Sequence, residues 1–151
     1  MNFDYDHLAS RWAEYWNKEN EDRPLISLTA PKGLVLPTLT APPTLRDMWL
    51  DTEYQLKKAR RGLENTHYLG EAFPVFNPNL GPDLVGAVCG CGLEFGERTS
   101  WAEPCIEDYE AFPPIAFDEN NPWWKKICEI TRTALEKPPA LPDILSGQCI
   151  L

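Results

Sequence analysis

A few side chains of this sequence could take part in chemistry: the thiols, one isolated lysine, two neighbouring asparagines and a histidine. Cys89-Gly90-Cys91 brings two thiols close enough to share a metal ion, but neither His7 nor His67 has metal-ligand spacing to them. Cysteines acting as small apolar residues under a helix are the alternative. His67 could act as an acid or base, yet no partner is visible for it, which favours a structural role.

Lys32 and a pair of asparagines are candidates for contact with a ligand. Lys32 follows a predicted strand on the turn Ala30–Gly33, the kind of position where barrel enzymes place functional groups. The alternative is that Lys32 is only solvated, as lysines on exposed turns usually are. Asn77 and Asn79 flank a proline, so their amides could bind a ligand or simply form the turn. Trp101 is not assigned to packing, unlike the tryptophans at helical spacing.

The positions of these residues are set by the helices and strands that the sequence pattern predicts along the chain. Apolar spacing and caps indicate four helices and three short strands. The helices are expected over 3–18, from the N-cap Thr44 to 63, over 82–88 and after Asn121-Pro122, and the strands over 25–29, 72–76 and 93–95. The stretch 99–115 is expected to be a loop with one helical turn, and 141–145 the start of a further helix. Alternation of helices and strands is typical of an α/β protein.

Several segments, taken together, resemble a known family. They are Arg23–Leu28, Phe76–Leu84, Gly92–Glu97, Thr99–Pro104 and Asn121–Trp124. Across residues 5–145 the chain is similar to the N-terminal part of uroporphyrinogen decarboxylase-like proteins, over less than half of the usual length of that family.

The resemblance implies a fold. The family forms a (β/α)8 TIM barrel with extra N-terminal helices, and such a barrel needs about 250 residues. We therefore expect an α/β chain that supplies a partial barrel: the N-terminal helices plus the first few βα units. The expected single domain 1–151 has a docking helix within 1–22, βα units over 23–137 and a truncated end at 138–151.

The resemblance also implies which groups would contact a substrate. Where decarboxylases of the family carry two carboxylate-binding arginines after the first strand, this chain reads Thr29–Leu34, with Lys32 as the remaining cation. The turn holding the family's catalytic aspartate reads Phe76–Asn79 here. We expect Lys32, Asn77, Asn79 and Trp101 to be substrate-binding, toward a small-molecule tetrapyrrole or corrinoid ligand. No catalytic residue, metal or cofactor is predicted.

Two functions of different classes follow. One is a uroporphyrinogen decarboxylase-like protein, related to tetrapyrrole decarboxylases (lyases) and to cobalamin-related corrinoid or thiol methyltransferases, with incomplete catalytic machinery. The other is a non-catalytic interaction or homodimer assembly module. It is motivated by the free strand edges and apolar faces that an unfinished sheet would have to cover in a homo-oligomer.

Composition narrows the partners and the compartment. The chain has 151 residues and a net charge of −9, which disfavours nucleic acid as a partner. No apolar run approaches membrane-spanning length, and the N-terminus lacks signal-peptide features, so we expect a cytoplasmic protein without a membrane partner. Its five cysteines are then expected to be reduced. Between Glu94 and Glu119, eight carboxylates face only Arg98, either as a solvated face or as a site for a cation or a basic partner.

Overall fold

The computed structural model describes residues 3–137. Five helices and four strands follow one another within this range. Their order is α1 (Tyr5–Asn17), β1 (Ser27–Pro31), α2 (Leu45–Leu50), α3 (Thr52–Glu64), β2 (Thr66–Gly70), α4 (Leu84–Val88), β3 (Gly92–Phe95), β4 (Ser100–Glu103) and α5 (Pro122–Glu136). The expected truncated end at 138–151 and its helix start at 141–145 lie outside the described residues.

The described residues group into two compact units, and the single domain expected from the sequence stays a prediction. Unit 1 comprises residues 3–38 and 59–76, and unit 2 comprises residues 39–58 and 77–137. Helix α3 contributes its first turns to unit 2 and its last turns to unit 1. Each unit contains one two-stranded sheet.

Both sheets are antiparallel. In unit 1, β1 pairs with β2, so that Ser27 lies opposite Gly70 and Pro31 opposite Thr66. In unit 2, β3 and β4 form a hairpin in which Gly92 lies opposite Glu103. The βα units of a barrel would pair their strands in parallel through a crossover, whereas every strand pair in 3–137 is antiparallel. The sheets are small and not barrel-like, and the partial barrel stays a prediction.

Two strands differ from the sequence expectation. The strand predicted over 72–76 is wrong: this segment is irregular, and the strand lies earlier, at Thr66–Gly70. Pro74 cannot donate a ladder hydrogen bond, whereas the segment directly after α3 can pair with β1. Strand β4 lies within the stretch that was expected to be a loop, because the hairpin partner β3 provides its pairing.

Helix starts follow the predicted caps. The Thr44 hydroxyl accepts a hydrogen bond from the Asp47 N–H at 3.0 Å, and the Asn121 side chain accepts from the Trp123 N–H at 2.9 Å. The single helix expected over 44–63 is interrupted at Asp51, which has extended backbone angles. The Asp51 carboxylate instead accepts from the Tyr54 N–H at 2.9 Å, so a residue type that caps helices divides α2 from α3.

The two units have different interiors. Unit 2 has an apolar core, whose buried side chains are Leu80, Ala87, Leu93, Ile130 and Ala134. In unit 1 the buried residues are Arg11, Glu71 and Ala72, with edge-on aromatic contacts such as Trp12 to Phe73 around them. Charged groups therefore occupy the place in unit 1 that aliphatic side chains occupy in unit 2.

A disulfide joins Cys91 to Cys105, with their Cα atoms 5.2 Å apart. The expectation that all the thiols are reduced is wrong for this pair. The β3–β4 hairpin explains the pairing, because Gly92 lies opposite Glu103 and the two cysteines flank these strand ends. Cys89 and Cys128 are unpaired in the described part of the chain. Between residues 3 and 137, no helix has the length and apolar character needed to cross a membrane.

Candidate functional site

The four residues predicted to bind substrate fall in different units. Lys32 lies in unit 1, and Asn77, Asn79 and Trp101 lie in unit 2. The structure brings the two asparagines together in one turn: the Asn79 side-chain amide donates to the Asn77 carbonyl at 3.0 Å. The Asn79 amide oxygen accepts from the Gly81 N–H at 3.1 Å. Asn79 thus makes the local hydrogen bonds typical of a turn-forming asparagine.

Trp101 lies on β4, directly opposite Glu94 of β3. Its indole N–H donates to the Glu94 carboxylate at 2.7 Å, and the residue is 45% exposed. Lys32 follows β1, where its backbone N–H donates to the Asn65 carbonyl at 2.8 Å. Its ammonium makes no ion pair with any other residue between 3 and 137.

A groove of about 410 Å³ opens in unit 1 beside the segment that carries Lys32. One wall is formed by Thr29–Pro31 of β1 together with Leu34 and Leu36. The other is formed where α3 passes into β2, and includes Arg61 and Asn65. The groove therefore has an aliphatic side and a side that carries hydrogen-bond donors.

Asn65 holds these walls together. Its side-chain oxygen accepts from the Leu34 N–H at 2.8 Å, and its backbone carbonyl accepts from the Lys32 N–H. Thr66, the next residue, donates its hydroxyl to the Gly62 carbonyl at 2.6 Å. The end of α3 is thereby tied to the segment after β1. Arg61, which is half-buried, has no ion pair with a described residue.

A second group of charged side chains surrounds Glu71, which is only 2% exposed. Its carboxylate accepts hydrogen bonds from the Arg23 guanidinium and, at 2.9 Å, from the Ile26 N–H. The Arg23 hydrogen bond, followed by that from Ile26, lowers the pKa of Glu71 from 4.5 to about 2. Gly70 precedes it with a φ of +64°, and the Glu71 N–H donates to the Ile26 carbonyl at 2.7 Å.

Arg11 closes this cluster from α1. It is 7% exposed, and its guanidinium donates to Glu14 at 2.7 Å and to Asp22 at 2.9 Å. The Nε atom of Arg11 is buried without a hydrogen-bond partner and lies 3.6 Å from Glu71 Oε1. The neighbouring Trp12 indole donates to the Glu71 carbonyl at 3.1 Å. The cluster ties α1 to the segments that flank β1 and β2, which is a structural role.

The β1–β2 sheet presents an apolar pair to its surroundings. Leu28 and Leu69 lie directly opposite each other in register. They are 56% and 51% exposed. Val35, a few residues after β1, is fully exposed, and Ile26 is partly exposed. Unit 1 thus carries an uncovered aliphatic surface within the described chain.

Glu71, Arg61 and Asn65 are not revealed as site residues by the sequence patterns. Arg23 belongs to one of the segments that carry the family resemblance, but its partner Glu71 lies 48 residues away and no local pattern reveals it. Arg61 belongs to a basic run at the end of a helix, where complementing the helix dipole is sufficient explanation. Asn65 could have been suspected, because an asparagine directly after a helix commonly bonds to nearby backbone.

Among residues 3–137, no group of three or more histidine, cysteine, aspartate or glutamate side chains is placed to hold a metal ion. The pairing of Cys91 with Cys105 contradicts the alternative in which Cys89 and Cys91 bind a metal together. His67, on β2 opposite Ala30, is exposed.

Comparison with known proteins gives no relative from which to assign a role. No protein-family model matches this chain. No curated protein matches it in sequence. No solved structure matches its fold.

Proposed function

We propose that this chain is a non-catalytic interaction module that assembles as a homodimer through the Leu28–Leu69 face of unit 1. The observation that carries the proposal is this cross-strand leucine pair, more than half exposed on a two-stranded sheet. An isolated two-stranded sheet is marginally stable in water, and covering its apolar side stabilises it. A twofold contact needs only one self-complementary patch, which an aliphatic pair provides.

The net charges of the two units favour a second copy of this chain as the partner that covers the Leu28–Leu69 face. Within the described residues, unit 1 has six basic and eight acidic side chains, a net charge of −2, whereas unit 2 has eight and fourteen, a net charge of −6. Two copies of a surface that is nearly neutral can approach without strong repulsion, and two copies of an acidic one cannot. Unit 1 is therefore the better place for self-association.

The test is the molar mass in solution. We expect light scattering at micromolar concentration to give a dimer for the unchanged chain and a monomer for Leu69→Asp, because the dimer would bury an unpaired charge. Dissociation should become at least about tenfold more favourable. Val85→Asp is the matched control: Val85 is 75% exposed but lies on α4 of unit 2, so its substitution should leave the mass unchanged.

A mixing experiment tests the symmetry of the contact. Leu69→Asp and Leu69→Lys chains should each be monomeric, and an equimolar mixture should recover dimers, because opposite charges then face each other across the twofold axis. An unchanged chain that remains monomeric at micromolar concentration would overturn the proposal. Dimers that survive Leu69→Asp would place the interface elsewhere and would also overturn it.

A further inference from the structure

The unit 1 groove combines two unused donors with an aliphatic wall. Arg61 has no ion pair or side-chain hydrogen bond with a described residue. The Leu34 N–H can only donate, so its bond to Asn65 identifies the side-chain oxygen of that amide. The NH2 group of Asn65 is then left without an acceptor in 3–137. Both groups lie along the same groove.

The rest of the lining is neutral. Pro31, Leu34 and Leu36 supply aliphatic surface, and no carboxylate lines the groove. In a chain of net charge −9, Arg61 is half-buried and has no acidic partner among residues 3–137. The bond from the Leu34 N–H to Asn65 holds the backbone of Leu34 beside the Asn65 amide, so this part of the aliphatic wall lies next to a donor.

We propose that this groove binds an aliphatic monocarboxylate. The carboxylate accepts from the Arg61 guanidinium and from the Asn65 NH2 group, and the hydrocarbon chain lies against Leu34 and Leu36. A planar guanidinium matches a carboxylate with two parallel hydrogen bonds. A volume of about 410 Å³ is in the range of small-molecule sites.

The groove favours one negative charge over several. The last turn of α3 lies beside it, and the carbonyl end of a helix carries partial negative charge. A single guanidinium offsets one carboxylate there, but a phosphate dianion would be undercompensated. The aliphatic wall also makes no apolar contact with an anion that lacks a hydrocarbon chain. Inorganic phosphate and acetate are therefore expected to bind poorly.

The test is titration of the full chain with octanoate, followed by NMR. We expect saturable shifts of the Arg61 side-chain N–H, the Asn65 NH2 group and the Leu34 and Leu36 methyl groups, with much weaker effects of acetate or octylammonium. Arg61→Gln should weaken octanoate binding by about tenfold or more, since it removes a charged hydrogen bond. Arg60→Gln is the matched control, because Arg60 is the exposed neighbour on α3 and does not line the groove.

Asn65→Asp separates binding from folding. Aspartate keeps an oxygen that can accept from Leu34 but replaces the donor with a negative charge, so the fold should persist while octanoate binding is lost. Retained dispersion of the NMR spectrum checks the fold. Absence of saturable shifts in the unchanged chain, equal binding of octylammonium, or an Arg60→Gln effect as large as that of Arg61→Gln would each overturn the proposal. None of these outcomes bears on the dimer, since neither leucine of the Leu28–Leu69 pair lines the groove.

Discussion

Glu71 is the residue on which the charged interior of unit 1 depends. Its carboxylate is almost fully buried and is held by Arg23, with Arg11 3.6 Å away. Buried ion pairs add little net stability compared with apolar packing, but removal of one partner leaves the other charges uncompensated. Arg11 pairs with Glu14 and Asp22, but its buried Nε has no hydrogen-bond partner, and the Glu71 carboxylate 3.6 Å away is the negative charge that faces it.

This arrangement predicts a pH dependence of stability. The folded-state pKa of Glu71 is about 2, against an ordinary value of 4.5. Because the pKa is lowered on folding, the contribution of Glu71 is present above pH 4.5 and is lost as the pH falls toward 2. We expect the free energy of unfolding, measured with urea, to fall over this interval.

The Glu71→Gln variant should be less stable at neutral pH, with part of this pH dependence removed. Glu53→Gln is the control, because Glu53 pairs with Lys57 at an exposed site on α3 and should change neither quantity appreciably. The same pH dependence in Glu71→Gln and in the unchanged chain would contradict the role of this carboxylate.

Among the helices and strands, the sequence predicts those boundaries that depend on a single capping side chain. The caps Thr44 and Asn121 set helix starts through bonds within three residues, and both could be predicted. Strand β2 could not be predicted, because Thr66–Gly70 is mostly exposed and its strand conformation depends on pairing with β1. The paired residues lie between 35 positions apart, for Pro31 and Thr66, and 43 positions apart, for Ser27 and Gly70.

The candidate site, too, could be predicted only in part from the sequence. Lys32 was predicted from its position after a strand, and the structure places the groove beside it, but Arg61 and Asn65 come from another part of the chain. Their proximity results from the register of β1 with β2, which no local pattern shows. A disulfide was likewise unpredictable without the β3–β4 hairpin.

The Cys91–Cys105 disulfide yields a prediction for the β3–β4 hairpin. The two residues are separated by 14 positions, and closing a loop of this size constrains the unfolded chain by about 3 kcal/mol in the chain-entropy model. Cys105→Ser should lower the free energy of unfolding by about this amount under oxidising conditions, and reductant should remove the difference. Cys128→Ser, at an unpaired thiol on α5, is the control. Equal stabilities of Cys105→Ser and the unchanged chain without reductant would contradict the prediction.

The chain as a whole resembles part of the uroporphyrinogen decarboxylase-like proteins, but the side chains at the matching positions differ from those that the family uses for chemistry. The groups that the resemblance would assign to substrate binding are a lysine, two amides and an indole, and none of them is a carboxylate. Asn79 has both ends of its amide bonded within its own turn, and the Trp101 N–H is bonded to Glu94. An amide at Asn77 cannot supply the negative charge that stabilises a cationic intermediate.

We therefore expect the purified chain neither to decarboxylate uroporphyrinogen nor to transfer a methyl group between methylcobalamin and a thiol. Chromatography of the porphyrin products and the absorbance of the corrinoid measure the two reactions. An active uroporphyrinogen decarboxylase and an active corrinoid methyltransferase are the positive controls, and the heat-unfolded chain is the blank. Turnover above the blank that Lys32→Gln or Asn77→Ala abolishes would contradict a purely non-catalytic role. It would show that these side chains support catalysis, because neither substitution removes a bond that the described fold depends on.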